Sequence, residues 1–283
     1  MSKPLFYNQP LPLTLTSIQV MGILNVTPDS FSDGGKFSLL DAALAQVEQM
    51  IADGAHIIDI GGESTRPGAQ DVSEADELER VIPVLTAIKQ KFDVKVSIDT
   101  SKAAVMQSAL ENGADIINDV RALQNKDCLK VLAKFNVPVC LMHMQGLPRT
   151  MQENPQYDDV IGDIKSFFEE RIQACTAAGI AKDRLILDPG FGFGKTLEQN
   201  YALLARMAEF NALGLPILAG ISRKSMIGNL LNRPVDERLA GSLSAAVIAA
   251  QQGASIIRVH DVKETVDALA VLAAVQAAKN ISQ

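Results

Sequence analysis

Short runs of aliphatic and β-branched residues alternate along the chain with longer segments whose apolar positions recur every three or four residues. That is the pattern of repeated βαβ units around a parallel sheet. Eight runs have the length of a buried strand: Ile18–Leu24, Ile57–Ile60, Val94–Ile98, Ile116–Asn118, Val137–Met142, Leu185–Leu187, Pro216–Ile221 and Ile256–Val259. Between them, Ile161, Ile164, Phe168, Ile172 and Cys175 share one helix face behind the capping candidates Asp158 and Asp159. Ser73 with Asp76 resembles a capping box ahead of Leu78, Ile82 and Leu85, in a helix that Pro83 should kink. Eight strands with intervening helices predict an α/β fold, a closed (β/α)8 TIM barrel. It is read as a single domain over residues 1–283, with 1–17 as an N-terminal lead-in.

A weak internal repeat points the same way. Gly54-Ala55-His56-Ile57-Ile58-Asp59, Gly113-Ala114-Asp115-Ile116-Ile117-Asn118 and Gly253-Ala254-Ser255-Ile256-Ile257-Arg258 share one template: a glycine ends a helix, two Ile residues enter a strand, and a polar residue follows. A polar side chain at the end of a buried strand is costly unless it has a partner or a ligand.

Collecting the residues that close each strand gives Asn25, Asp59 with Glu63, Asp99, Asn118, His143, Asp188, Ser222 with Lys224, and Arg258 with His260. In a barrel these positions converge on one mouth. Any one of them could cap a helix or pin a loop, but a complete polar ring is poorly explained that way. Asp99, Asn118 and Asp188 can accept hydrogen bonds from the flat donor edge of a heterocycle such as an amino-pyrimidinone. Lys224, Arg258 and His260 supply positive charge, and a diphosphate could sit against Arg258, His260 and Asn25 with a divalent ion sharing its oxygens.

Composition narrows the partners. Of the 283 residues 47% are hydrophobic, and the formal charge of −7 with a pI near 5.1 argues against a general nucleic-acid or membrane surface. Cys128, Cys140 and Cys175 form no C-x-x-C pair, which fits a reducing compartment. No apolar leader stands in Met1–Leu15, and no run approaches about 18 uncharged apolar residues, so a cytoplasmic protein without a membrane span is expected.

Three segments mimic other chemistries. Gly190-Phe191-Gly192-Phe193-Gly194-Lys195-Thr196 resembles a nucleotide-binding loop, but a P-loop needs four residues between its first glycine and the Gly-Lys pair, and here there are three. A tight turn with close backbone approach is expected instead, Phe193 walling a pocket. His56, His143 and His260 stand too far apart for a helical zinc pair, and Asp29–Gly35 lacks calcium-loop spacing.

The ordered motifs carry a family resemblance. Met21-Gly22-Ile23-Leu24-Asn25-Val26-Thr27-Pro28-Asp29-Ser30-Phe31-Ser32-Asp33-Gly34-Gly35 and Asp59-Ile60-Gly61-Gly62-Glu63-Ser64-Thr65-Arg66-Pro67-Gly68 resemble the two signatures of bacterial dihydropteroate synthases. Asp99-Thr100-Ser101-Lys102, Ile117-Asn118-Asp119, Leu187-Asp188-Pro189-Gly190, Ser222-Arg223-Lys224-Ser225 and Arg258-Val259-His260-Asp261 follow in family order. The resemblance implies a transferase of folate synthesis that joins 6-hydroxymethyl-7,8-dihydropterin diphosphate to 4-aminobenzoate, with Mg2+ as cofactor and a homodimer as assembly. It implies that Asp99, Asn118, Asp188 and Lys224 hold the pterin, with Met142 and Phe193 in contact, and that Arg258 covers a pterin face. Arg258, His260, Asn25 and Thr65 are implied at the diphosphate, Asn25 also at Mg2+, and Phe31, Arg66, Pro67 and Ser222 at 4-aminobenzoate. The 27–36 and 62–70 loops are expected to close over the site and exclude water, with Asp33 helping to order that state. Sulfonamides, flat aryl amines with an anionic tail, are expected to compete for the second pocket. A pterin-dependent methyltransferase shares the barrel but not the Asn25–Gly35 and Ser64–Gly68 loops. A barrel that binds pterin without turnover would not be expected to retain every motif position.

Overall fold

The computed structural model describes residues 18–26, 36–63, 71–146, 151 and 155–278. Eight parallel strands close into a barrel in chain order: β1 (Gln19–Asn25), β2 (Ile57–Gly61), β3 (Lys95–Asp99), β4 (Ile116–Asp119), β5 (Val139–Met142), β6 (Leu185–Asp188), β7 (Ile217–Ala219) and β8 (Ala254–Val259). β1 pairs with both β2 and β8, so no sheet edge remains. The α-helices among the described residues are α1 (Lys36–Ala52), α2 (Glu74–Lys91), α3 (Ala103–Glu111), α4 (Cys128–Leu132), α5 (Val160–Ala177), α6 (Leu197–Arg206), α7 (Ser225–Leu231), α8 (Leu239–Gln251) and α9 (Val262–Ala278). β7 is followed by two of them, α7 and α8.

The repeat noted in the sequence has a structural meaning. Its first Ile points into the barrel, where Ile57, Ile116 and Ile256 join Met21, Cys140, Ile186 and Leu218 in a closed apolar plug. Its second Ile (Ile58, Ile117, Ile257) points outward into the larger core under the helices. The third position, two residues beyond the plug, faces inward again because the side-chain period of a strand is two. Asp59, Asn118 and Arg258 therefore stand one layer above Ile57, Ile116 and Ile256, as Met142 does above Cys140 and Asp188 above Ile186. Each fully buried Ile of the plug contributes about 2–3 kcal/mol. The plug also makes the barrel a packed core, leaving one mouth for chemistry. The repeat glycines Gly54, Gly113 and Gly253 have φ of +98°, +90° and +99°, the left-handed turn that ends a helix.

Several strand limits differ from the sequence reading. β1, β3 and β6 run on to the polar residues Asn25, Asp99 and Asp188, because the ladder pairs backbone whatever the side chain: Asn25 pairs with Gly61, Gly61 with Asp99, and Asp99 with Asn118. β5 begins only at Val139, after Pro138, which has no N–H to give the ladder. β7 shrinks to Ile217–Ala219, with an irregular register against β8 between Ile217 and Leu218. The Ser73 cap on α2 is observed, its hydroxyl accepting from the Asp76 N–H at 3.1 Å. α2 runs on through Pro83 as one helix. Its buried stripe is Glu77, Val81, Val84, Leu85 and Ile88, with Leu78 and Ile82 at the margin. Asp159, not Asp158, caps α5.

Candidate active site

Three inward carboxylates and an arginine meet above the plug. Asp59 on β2 is fully buried, and its Oδ2 accepts from Arg258 Nε at 2.6 Å and from Asn118 Nδ2 at 3.1 Å. Arg258 Nη2 donates to Asp99 Oδ2 at 2.9 Å. The guanidinium is thus held in a fork between two carboxylates: burial pulls its pKa down, but Asp59 and Asp99 together outweigh that and raise it. Asp99 is itself pushed up to about 7: burial dominates, Arg258 opposes it, and the like charge of Asp59 adds to it.

Asp188, at the end of β6, is buried, with Oδ1 accepting from the Gly190 N–H at 2.8 Å. Burial raises its pKa, and Lys224 is the main opposing charge. Lys224 follows β7, its Nζ donating to the Phe191 carbonyl and lying 4.5 Å from the centre of the Phe193 ring. Burial lowers the Lys224 pKa to about 8 against the pull of Asp188. The turn that aims this lysine is strained: Arg223 has φ +58°, held by its N–H to Ser242 Oγ at 3.0 Å and its Nε to Asp261 Oδ2 at 3.0 Å.

Ser222 and His260 touch each other, Oγ to Nδ1 at 3.1 Å, and the His260 N–H also donates to Ser222 Oγ at 3.2 Å. Residues assigned by resemblance to different substrates are therefore coupled. Asn25 ends β1, half-buried. A Cβ built on Gly61 would stand 3.7 Å from Asn25 Oδ1 and 4.0 Å from Asp99 Oδ2, so both oxygens look onto the same glycine. Met142 is buried beside Asp188 in the β5–β6 ladder.

The structure thus gathers Asn25, Asp99, Asn118, Met142, Asp188, Phe193, Ser222, Lys224, Arg258 and His260 on strand ends or the loops that follow them. Phe31, Asp33, Thr65, Arg66 and Pro67 lie outside the described residues. Asp59 emerges as the central acceptor of the ring, a role its place among the strand ends signalled without giving a partner. Arg258 is bound to Asp59 through Nε and to Asp99 through Nη2, which leaves its Nη1 hydrogens as the donors a diphosphate could meet without breaking either contact.

A closed eight-stranded barrel with donors, acceptors and cations at its mouth, matched over residues 21–260 by the family model described as pterin binding enzyme, defines the class of protein. The chain is 58% identical over 273 residues to the dihydropteroate synthase of Escherichia coli (strain K12), covering 96% of this chain and 97% of that one. A Yersinia pestis dihydropteroate synthase solved with a sulfonamide drug superposes with a TM-score of 0.89 at 58% identity, over 93% and 96% of the two chains. The Xanthomonas albilineans enzyme in complex with 7,8-dihydropteroate does so at 0.83 and 44% identity, over 93% and 95%. The chain belongs to the dihydropteroate synthase family.

Proposed function

We propose that the chain joins 6-hydroxymethyl-7,8-dihydropterin diphosphate to 4-aminobenzoate, forming a C–N bond and releasing diphosphate in folate synthesis. The observation that carries this is the convergence of Asp99, Asn118, Asp188, Lys224 and Arg258 at one mouth, in a chain whose relatives carry that name. Asp99, Asn118 and Asp188 accept from the N–H edge of the pterin. Lys224 and the Phe193 ring hold its other side. As the diphosphate departs, the electron-rich dihydropterin delocalises the methylene cation, and the buried Asp99 and Asp188 favour that charge electrostatically. The arylamine, positioned by Ser222, Phe31, Arg66 and Pro67, needs only to be held in line. Arg258, His260, Thr65 and Asn25 meet the diphosphate.

Asn25 would hold Mg2+. Its Oδ1, a neutral oxygen beside Gly61, suits a hard cation that would take its other ligands from water and substrate phosphate. When bound, it would supply charge neutralisation for the leaving group.

Purified protein mixed with both substrates and Mg2+ is expected to release diphosphate only when 4-aminobenzoate is present. Release independent of 4-aminobenzoate, or none, contradicts the reading. Sulfonamides are expected to compete with 4-aminobenzoate and not with the pterin.

Two further outcomes follow from the geometry. With Asp99 near 7 and Lys224 near 8, kcat/KM for the pterin diphosphate should rise as Asp99 loses its proton and fall as Lys224 loses its own. A profile flat from about pH 6 to 9 contradicts this. Ser222→Ala should raise the KM for 4-aminobenzoate roughly tenfold and that for the pterin diphosphate less than about threefold, the smaller effect arising through His260.

The assembly we propose is a cytoplasmic homodimer. Leu230 and Leu231 on α7, Ile248 on α8, and Val271 and Val275 on α9 are exposed apolar residues on the C-terminal helices, and a second copy would cover them. Sedimentation at the 30.4 kDa mass of one chain overturns this. No helix among the described residues is long and apolar enough to cross a membrane, and the three cysteines are buried free thiols.

A further inference from the structure

Lys195 is almost completely buried, 2% exposed, yet none of its three partners is a carboxylate. Its Nζ lies 2.8 Å from the Gly190 carbonyl, 3.1 Å from the Phe193 carbonyl and 3.1 Å from Nδ1 of His143. An ammonium donates to three converging acceptors, and a neutral amine donates to the two carbonyls and accepts from a ring N–H, so either protonation state satisfies the site. Burial of both groups disfavours charge on either: the Lys195 pKa falls far below its usual range, and that of His143 to about 2. The tripod spans the β6–α6 loop, the segment whose lysine resembles that of a nucleotide-binding loop.

The fully buried Phe191 side chain anchors the loop in the core, and the rest of it is fixed by close backbone approach and hydrogen bonds. Gly190, with φ +70°, lies so close to β5 that a Cβ would fall 1.9 Å from the His143 carbonyl oxygen, and one on Gly194, with φ +62°, would fall 2.4 Å from that of Gln145. Asn200 accepts from the Gly192 N–H at 2.7 Å, and Tyr157 Oη donates to the Gly194 carbonyl at 2.8 Å. The same loop presents to the mouth the two groups that meet Lys224, the Phe191 carbonyl and the Phe193 ring.

We propose that Lys195 is a positioning residue for the pterin half of the reaction, bracing the β6–α6 loop on His143 so that Phe191 and Phe193 hold Lys224 in place against Asp188. The proposal rests on the reading of the mouth as a pterin site. Lys195 does not touch the substrate. It acts through the loop, which explains why a buried lysine stands where an apolar residue would fill the space without a polar group to satisfy.

The test compares wild type, Lys195→Met and His143→Ala, using the pterin diphosphate as probe in calorimetry and steady-state kinetics. Lys195→Met is expected to weaken pterin binding at least about tenfold while the KM for 4-aminobenzoate stays within about twofold. The alkaline limb of kcat/KM is expected to move to higher pH, because a loosened loop admits water to Lys224 and restores its proton affinity. His143→Ala, which removes one leg of the tripod, is expected to move both readouts the same way by about threefold and a smaller pH shift. A fall in Tm with unchanged pterin affinity and an unmoved limb overturns the proposal, leaving Lys195 a packing residue. If Lys195→Met does not fold, His143→Ala decides by the same criteria. Wild type that fails to bind the pterin diphosphate overturns the pterin reading itself and the proposal with it, whereas wild-type binding with unaltered variants sinks only the role of Lys195.

Discussion

Lys224→Ala is expected to weaken binding of the pterin diphosphate at least about a hundredfold, roughly 3 kcal/mol, the range for removing a charged donor from a buried site. Nζ is the main charge opposing the burial of Asp188, and it donates to the Phe191 carbonyl and faces the Phe193 ring at 4.5 Å. Without it Asp188 loses that stabilisation, its pKa rises further, and a protonated carboxyl accepts less well from the pterin. Asp188→Ala acts on the same pair from the other side: Lys224 loses the charge that partly offsets its burial, so its pKa falls below about 8. The Lys224→Ala/Asp188→Ala double variant should therefore lose less than the sum of the two, as members of one network do. Calorimetric titration of the four proteins measures this, with circular dichroism to confirm the fold. Strict additivity, or a single variant that binds like wild type, contradicts the paired role.

The barrel was legible because two periodicities coincide. Ile57-Ile58-Asp59 already encodes inward, outward, inward, and reading which side each residue faces needs only the strand period. The strand-end ring is legible for the same reason, since chain order puts every carboxyl end on one face. Pairings across the barrel are another matter. Arg258 and Asp59 are 199 positions apart, and no local pattern ties them. Nor do the motifs announce which of their members do chemistry. In Asp99-Thr100-Ser101-Lys102 only Asp99 joins the carboxylate and arginine ring. Ser101 donates to Asp119 at 2.5 Å, and Lys102 bridges Glu63 and Glu77 at 2.5 Å each. Arg223 and Asp261 likewise tie the sixth and seventh motifs together. Much of what looks like active-site signature is therefore scaffolding that joins one motif to the next. A left-handed Arg223 has no sequence signal, because position φ > 0 is usually marked by glycine or asparagine.

Asp59→Ala should be the most damaging change to stability in the ring, at about 3 kcal/mol, toward the lower end for breaking a buried ion pair because Arg258 keeps Asp99. Asn118 Nδ2 loses its acceptor in the same step. Urea unfolding measures the cost. The Asp59→Ala/Arg258→Met double variant should cost less than the two single changes together, since it removes the charge that the first leaves short of a partner. The substitution also carries a functional sign. Asp59 is one of the like charges that raise Asp99, so its removal should lower the Asp99 pKa below about 7 and move the acid limb of kcat/KM to lower pH. For folding the direction follows from linkage: a carboxyl whose native pKa lies above its unfolded value makes the protein less stable as pH rises from the unfolded value through the native one. Wild type is therefore expected to lose stability between about pH 4 and 7 from Asp99, and Asp59→Ala to lose less over that window. An Asp59→Ala protein with the wild-type acid limb would mean that Asp99 does not feel Asp59, and that the guanidinium between them screens one carboxylate from the other.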